Sequence, residues 1–161
     1  MPTNMKTLNE TLNADLQRQV IDAIPGVRAV VAVVLEWQDN IALFRRSKNL
    51  HHDTGLWHCI TGFIEAGCTP AEQALQELYE ETGLAENSVV KLQSGPDLVL
   101  HDDHGQPWLV HTFRAVSAQR RLTINWEHDA YRWTKPNKTK RFSNRVSWLD
   151  SVLEATGHGA A

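Results

Sequence analysis

Glu77, Glu80 and Glu81 stand at i, i+3 and i+4. On a helix this spacing gathers three carboxylates on one side within about two turns. Like charges so placed destabilise an isolated helix by about 0.2–0.5 kcal/mol per pair. Glu80 and Glu81 also lie toward the C-terminal end of that segment, where the helix dipole disfavours anions. A solvated acidic face is the plain reading. A hard divalent cation is the chemical one, because Mg²⁺ or Mn²⁺ takes carboxylate oxygens and completes its shell with water and substrate phosphates. Local conflict of this kind is expected where a site, and not the helix, dictates the residues.

The elements that must hold these residues are legible around them. Thr69 is a natural N-cap, Pro70 suits the first helical position, and Glu72 completes T-x-x-E, so a helix is expected over 70–82 with Gly83 closing it. Ala71, Ala74, Leu75 and Leu78 form its apolar side. Val27–Trp37 is rich in β-branched residues and reads as a buried strand. Gln38-Asp39-Asn40 is its turn, Ile41–Arg46 the return strand, and Leu56–Ile64 a third strand. Short strands are expected at Val89–Gln93, Leu98–His101, Leu122–Asn125 and Ala130–Trp133, a longer one at Trp108–Val116, and a last helix at Val146–Ala155. Leu8, Leu12, Leu16, Val20 and Ile24 recur every fourth position. They predict a helix over 7–24, packed on the domain or on a partner subunit, so that monomer and homodimer both stay open. Strands and helices are mixed without βαβ alternation, which reads as α+β, an α/β/α sandwich with a mixed sheet. The expected division is an N-terminal extension at 1–26 and one domain at 27–161.

The segment from Gly62 to Leu84 resembles the Nudix box, G-x5-E-x7-R-E-U-x-E-E-x-G-U, with U a bulky apolar residue. Gly62, Glu77, Leu78, Glu80, Glu81, Gly83 and Leu84 match at the right spacing; Cys68 stands at the family's Glu and Gln76 at its Arg. The resemblance covers roughly residues 27–155. It implies the Nudix fold and metal-assisted hydrolysis of a pyrophosphate bond in a small phosphorylated substrate. It also implies Mg²⁺ or Mn²⁺ held by Glu77, Glu80, Glu81 and the main-chain carbonyl of Gly62, with Glu77 holding or deprotonating the attacking water. In the family the box Arg and first Glu support each other. Losing both removes the pair without stranding a charge, so the expectation is a substituted support. A nucleotide-binding or regulatory module with reduced catalysis is the alternative.

Further along, Glu127-His128-Asp129-Ala130-Tyr131-Arg132-Trp133 and Thr139-Lys140-Arg141-Phe142-Ser143-Asn144-Arg145 accompany Trp57…Thr61-Gly62. Together they resemble the branch that includes dihydroneopterin triphosphate diphosphatase, also described as a dATP pyrophosphohydrolase. Glu127 is then a fourth carboxylate, as metal ligand or base. Arg45 and Arg46 end the second strand and suit bidentate phosphate contact. Trp57, five residues before Gly62, is the tryptophan expected nearest the substrate. Asp102 and Asp103 are explained by a turn, and no histidine pair shows metal-ligand spacing.

Composition bounds the rest. The chain has 161 residues, 16 Lys and Arg, 19 Asp and Glu, and two cysteines. It is one globular domain's length with no disulfide framework, no apolar segment long enough to span a bilayer and no signal-like start, so a cytoplasmic protein is expected. A net charge of −3 does not suit a general nucleic-acid coat. The charge is segregated: residues 62–86 carry only acids, residues 132–145 only bases.

Overall fold

The computed structural model describes residues 27–159. One mixed sheet of seven strands carries the chain. β1 (Arg28–Trp37) and β2 (Asn40–Arg46) form the hairpin expected from the sequence, but they pair only beside the turn, at Glu36 with Ile41 and Trp37 with Asn40. Beyond that they separate. The third strand of the sequence reading fills the gap as two pieces. β3 (Trp57–His58) pairs with β2, and β4 (Ile60–Phe63) pairs with β1, so the chain changes partner at buried Cys59. β5 (Val89–His101) and β6 (Pro107–Ser117) extend the other side, with β6 parallel to β1 from Arg28/Trp108 to Glu36/Val116. β7 (His128–Thr134) lies against β2.

Alternation along β1 divides the core, because successive side chains point to opposite faces. Val31, Val33 and Leu35 pack beneath helix α1 (Pro70–Thr82) with Ala74 and Leu78. Val30, Ala32 and Val34 pack against Leu149, Val152 and Leu153 of helix α2 (Leu149–Ala155). With a helix on each face, the architecture is the expected sandwich around a mixed sheet. α1 starts and stops where the sequence reading puts it. Thr69 accepts from the Glu72 amide while Glu72 accepts from the Thr69 amide, and Gly83 closes the helix at φ 75°.

Four expectations change. Val89–Gln93 and Leu98–His101 are one strand, because irregularities between Val89 and Lys91 and between Ser94 and Asp97 carry it through Gly95-Pro96 without ending it. Leu122–Asn125 is not a strand; Leu122 is buried in the α1 face of the core, so its apolar character reports burial and not pairing. α2 begins three residues later than expected, since Val146 donates its amide to the Trp57 carbonyl (3.0 Å). The third strand is split as described above. The expected helix at 7–24 lies outside the described residues. No described helix is long and apolar enough to cross a membrane.

Candidate active site

Gly62 lies in β4 opposite Val31, on the face covered by α1. A Cβ at Gly62 would fall on the Glu77 carboxyl group. Glycine is therefore required by close approach: the backbone of β4 and a carboxylate of α1 occupy adjoining space. Three turns of helix, started by its capping box, carry Glu77, Glu80 and Glu81 past that strand. Glu81 is 1% exposed and Glu77 9%, whereas Glu80 is exposed to solvent.

All four carboxylates expected from the sequence line one cavity of about 540 Å³, together with Gly62 and Arg46. Their electrostatics are unfavourable without a partner of opposite charge. Burial and then the neighbouring Glu77 and Glu127 push the Glu81 carboxyl well above the usual carboxylate range. Glu77 is raised by burial, with Glu80 and Glu65 adding to it. Glu127 is raised by burial and then by Glu77, while Arg46 pulls it back. Glu81 Oε2 is buried with no hydrogen-bond partner. An orphaned anionic oxygen is costly in a protein interior, and a divalent cation is the partner whose chemistry fits it. Among the described residues no group of three or more His, Cys, Asp or Glu side chains closes by itself into a metal cage. Mg²⁺ needs none, since it keeps several waters and uses one or two carboxylates with substrate phosphates.

The support of the cluster is made of amides. Gln73 is fully buried and its Nε2 donates to Glu77 Oε1 (3.0 Å), while its Oε1 accepts from the Glu65 amide (2.9 Å). Gln76 Nε2 donates to Glu65 Oε1 and to Glu80 Oε1, each at 3.1 Å. Gln76 thus ties the β4 end to the helix with a neutral side chain. Its acidic partner is Glu65, three residues ahead of Cys68. The sequence signal for Gln73 was its i, i+4 spacing to Glu77 on a helix already delimited.

The arginine pair is divided by the alternation of β2. Ala42, Phe44 and Arg46 follow the α1 face, and Arg46 lines the cavity. Ile41, Leu43 and Arg45 follow the other, where the Arg45 guanidinium pairs with Asp129 (2.6 Å) and lies 5.7 Å from the Trp57 ring centroid. Asp129 is the extra residue of a bulge in β7, between the partners of Arg45 and Arg46. Trp57 packs edge-on against Phe142 and the α2 side of the core, not in the cavity. One step along the strand reverses the face, so His58 lines the cavity where Trp57 was expected. The aromatic lining comes from Phe63, Trp108 and Trp148. Leu50, His52 and Asp53 of the loop after β2 also reach it, as do Asp102 and Asp103. Asp102 holds its turn by accepting from the His104 and Gln106 amides and from Trp108 Nε1 (3.0 Å). His128, buried 3.7 Å from Glu81, is pushed down to about 4 by burial and by Arg46, and is neutral at pH 7. None of the six bases of 132–145 lines the cavity, and Arg145 is paired with Asp150.

Three comparisons accompany this geometry. The NUDIX domain family model matches residues 26–154. Among solved structures, the MutT protein from Methanosarcina mazei superposes with a TM-score of 0.67 at 16% identity, covering 81% of this chain and 94% of that one. The E. coli dihydroneopterin triphosphate pyrophosphohydrolase superposes with a TM-score of 0.59 at 20% identity, covering 80% of this chain and 99% of that one. Likeness at these identities carries the fold. In sequence, an octanoyltransferase from Myxococcus xanthus is 30% identical over 120 residues, 70% of this chain; the chain spans about a third of that protein's length, 32%.

Proposed function

The chain belongs to the NUDIX domain family, and on that premise we propose that it hydrolyses a pyrophosphate bond in a small phosphorylated substrate. The substrate class is a nucleoside or pterin triphosphate or a related nucleoside diphosphate derivative, and the reaction uses Mg²⁺ or Mn²⁺. The observation that carries this reading is Glu81: a buried carboxylate with an unpartnered oxygen, in one cavity with Glu77, Glu80 and Glu127. Glu77, Glu81 and Glu127 have raised affinities for protons, and carboxylates so gathered are equally arranged to take a cation.

Glu77, Glu80, Glu81 and the Gly62 carbonyl would hold the metal. When bound, it neutralises pyrophosphate charge and makes a coordinated water more acidic. The protein's own residues do the rest. Arg46, the cavity's Arg or Lys among the described residues, offers a guanidinium to a phosphate. Gln73 holds Glu77 Oε1 by its amide, which fixes the direction from which that carboxylate can orient water or take its proton. Glu127, in a raised carboxylate range and on the far side of the cluster in sequence, is the second candidate base. Neutral His128 packs behind Glu81 without adding a cation to the cavity.

A panel of nucleoside and pterin phosphates with Mg²⁺ or Mn²⁺, products identified by mass, tests this directly. Cleavage at a pyrophosphate bond is expected for at least one member. Tight metal-dependent binding without any turnover would select the binding module instead, and neither binding nor turnover would sink both.

A further inference from the structure

β4 divides the lining of the cavity into two kinds. Gly62 lies opposite Val31, on the face beneath α1 where the carboxylates gather. Phe63 lies opposite Val30, which belongs to the α2 face of the core. One step along a strand reverses the face, so Phe63 stands on the other side of β4 from Glu77. Trp108 and Trp148 pack against the same α2 face, and Val30, Phe63, Trp108 and Trp148 all line the cavity. The cavity is thus rich in carboxylates at one end and aromatic at the other. A ligand matched to both ends, with a cation between it and the carboxylates, is a polyanion joined to a flat ring.

Phe63 is 56% exposed. Tyr79, Val90 and Trp126 are as open, but they lie outside the cavity lining, and scattered residues of that kind need no explanation. Phe63 differs because it is backed by a held neighbour. Its ring centroid is 5.8 Å from that of Trp108, with the planes at 37°, within the range of aromatic contact. Trp108 Nε1 donates to Asp102 Oδ2 (3.0 Å), and Asp102 Oδ1 accepts from the His104 and Gln106 amides at 2.9 Å each. An indole N–H lies in the plane of its ring, so this bond fixes the plane of Trp108 and the wall against which Phe63 rests. Despite that contact more than half of Phe63 stays open.

We propose that Phe63 is a specificity-determining residue whose open face stacks on the nitrogen heteroaromatic ring of the substrate, with Trp108 backing it and the phosphates lying toward Glu77, Glu80 and Glu81. This deepens the reading of the cavity as the site of a phosphorylated substrate and rests on it, though not on turnover. Stacking tolerates many rings, because every base has a π-face. The site therefore separates ring-bearing phosphates from ringless ones more sharply than it separates one ring from another.

The test compares wild type, Phe63→Ala and Phe63→Trp in Mn²⁺. The ligands are ATP, GTP, CTP, neopterin triphosphate and ringless inorganic triphosphate. Affinity is read as KM where the ligand is cleaved and as Kd by calorimetry where it is not, beside kcat and Tm. Phe63→Ala is expected to weaken the ring-bearing triphosphates by about 10–100-fold. Inorganic triphosphate should stay within about twofold, and Tm should be unchanged. Phe63→Trp, which keeps a flat face, should hold the ring compounds within about threefold of wild type. A phenylalanine kept for structure gives a different pattern: Tm falls, or Phe63→Ala fails to fold. That outcome overturns the proposal, as does unchanged affinity for the ring compounds, an equal loss on inorganic triphosphate, or a wild type that prefers no ring compound over it. Ring-dependent binding that Phe63→Ala removes, in a wild type that cleaves nothing, would sink the hydrolase reading and leave this one standing. Turnover to which Phe63→Ala is indifferent does the reverse.

Discussion

Glu81 concentrates the conflict between stability and function at the scale of one residue. Its carboxylate is buried, unpartnered at Oε2, and pushed toward protonation by Glu77 and Glu127. Replacing such a group by a neutral isostere relieves the fold, so Glu81→Gln is expected to stabilise the metal-free protein at pH 8 by about 1 kcal/mol or more. The same change should lower kcat/KM by at least about 100-fold, because a metal ligand contributes several kcal/mol to the transition state. Thermal melts in EDTA and steady-state kinetics check both halves; a lower melting temperature would show that Glu81 has a structural partner instead. Gly62 makes the opposite prediction. Gly62→Ala puts a methyl on the Glu77 carboxyl, so the helix or the strand must give, at a cost of about 1–3 kcal/mol. Activity should fall with stability, and Mn²⁺ should not rescue it. Gln73→Leu, by contrast, removes the amide that holds Glu77 and strands the Glu65 amide. A fall in kcat of about tenfold is expected with Mn²⁺ affinity also weakened; unchanged kinetics would remove Gln73 from the support.

At the scale of elements, α1 was legible in full and the strand before it was not, and the difference is physical. A helix announces itself locally: Thr69 and Glu72 satisfy each other's backbone donors and Gly83 takes the left-handed turn, all within fifteen residues. The exchange of partners at Cys59 is a tertiary event, set by the separation of β1 from β2, and apolar residues on both sides of it look alike in sequence. The register of β3 on β2, Phe44 opposite His58 and Arg45 opposite Trp57, decides which members of these pairs share a face, hence that His58 and not Trp57 reaches the cavity, and Arg46 and not Arg45. The amide support was half legible. The absence of the family's Arg and Glu was visible, but Glu65 as the partner of Gln76 depends on how the loop folds back over the helix. Since Gln76 already lies between two carboxylates, Gln76→Arg alone should be tolerated, with activity within about threefold of wild type. Cys68→Glu added to it should be tolerated as well. Thr69→Ala is expected to cost about 1 kcal/mol by removing the cap, and to lower activity only as far as the helix end frays. A chemical denaturation series on these three variants separates support from capping.

The whole molecule holds two sets of buried or half-buried titrating groups with opposite pH signs. Glu77, Glu81 and Glu127 have folded-state values raised above the usual 4.5, so the metal-free fold gains from them below that value. It loses that contribution as pH rises through their folded values. His58 and His128 are depressed, the latter to about 4, so their contribution is present above 6.5 and is lost as pH falls toward 4. The two sets oppose each other between about 4.5 and 6.5, where the metal-free protein should show a shallow dependence of Tm on pH. The segregated charge of the sequence takes a different form here. Glu65, Glu77, Glu80 and Glu81 of the acidic run line the cavity, but the basic run of 132–145 lies away from it, so the near-neutral total hides an electronegative pocket with Arg46 as its fixed cation among the described residues. A divalent cation removes that imbalance only when the carboxylates are ionised. Mn²⁺ at about a hundred times its Kd adds about 2.7 kcal/mol to the folded state, a rise of about 5–10 °C for a domain of this size. The rise is expected in full at pH 8 and largely absent at pH 5, where protons compete for the same oxygens. Scanning calorimetry at the two pH values, with Glu81→Gln as the control that loses the shift at both, measures it. An equal rise at pH 5 and pH 8 would mean that Mn²⁺ binds somewhere other than this cluster.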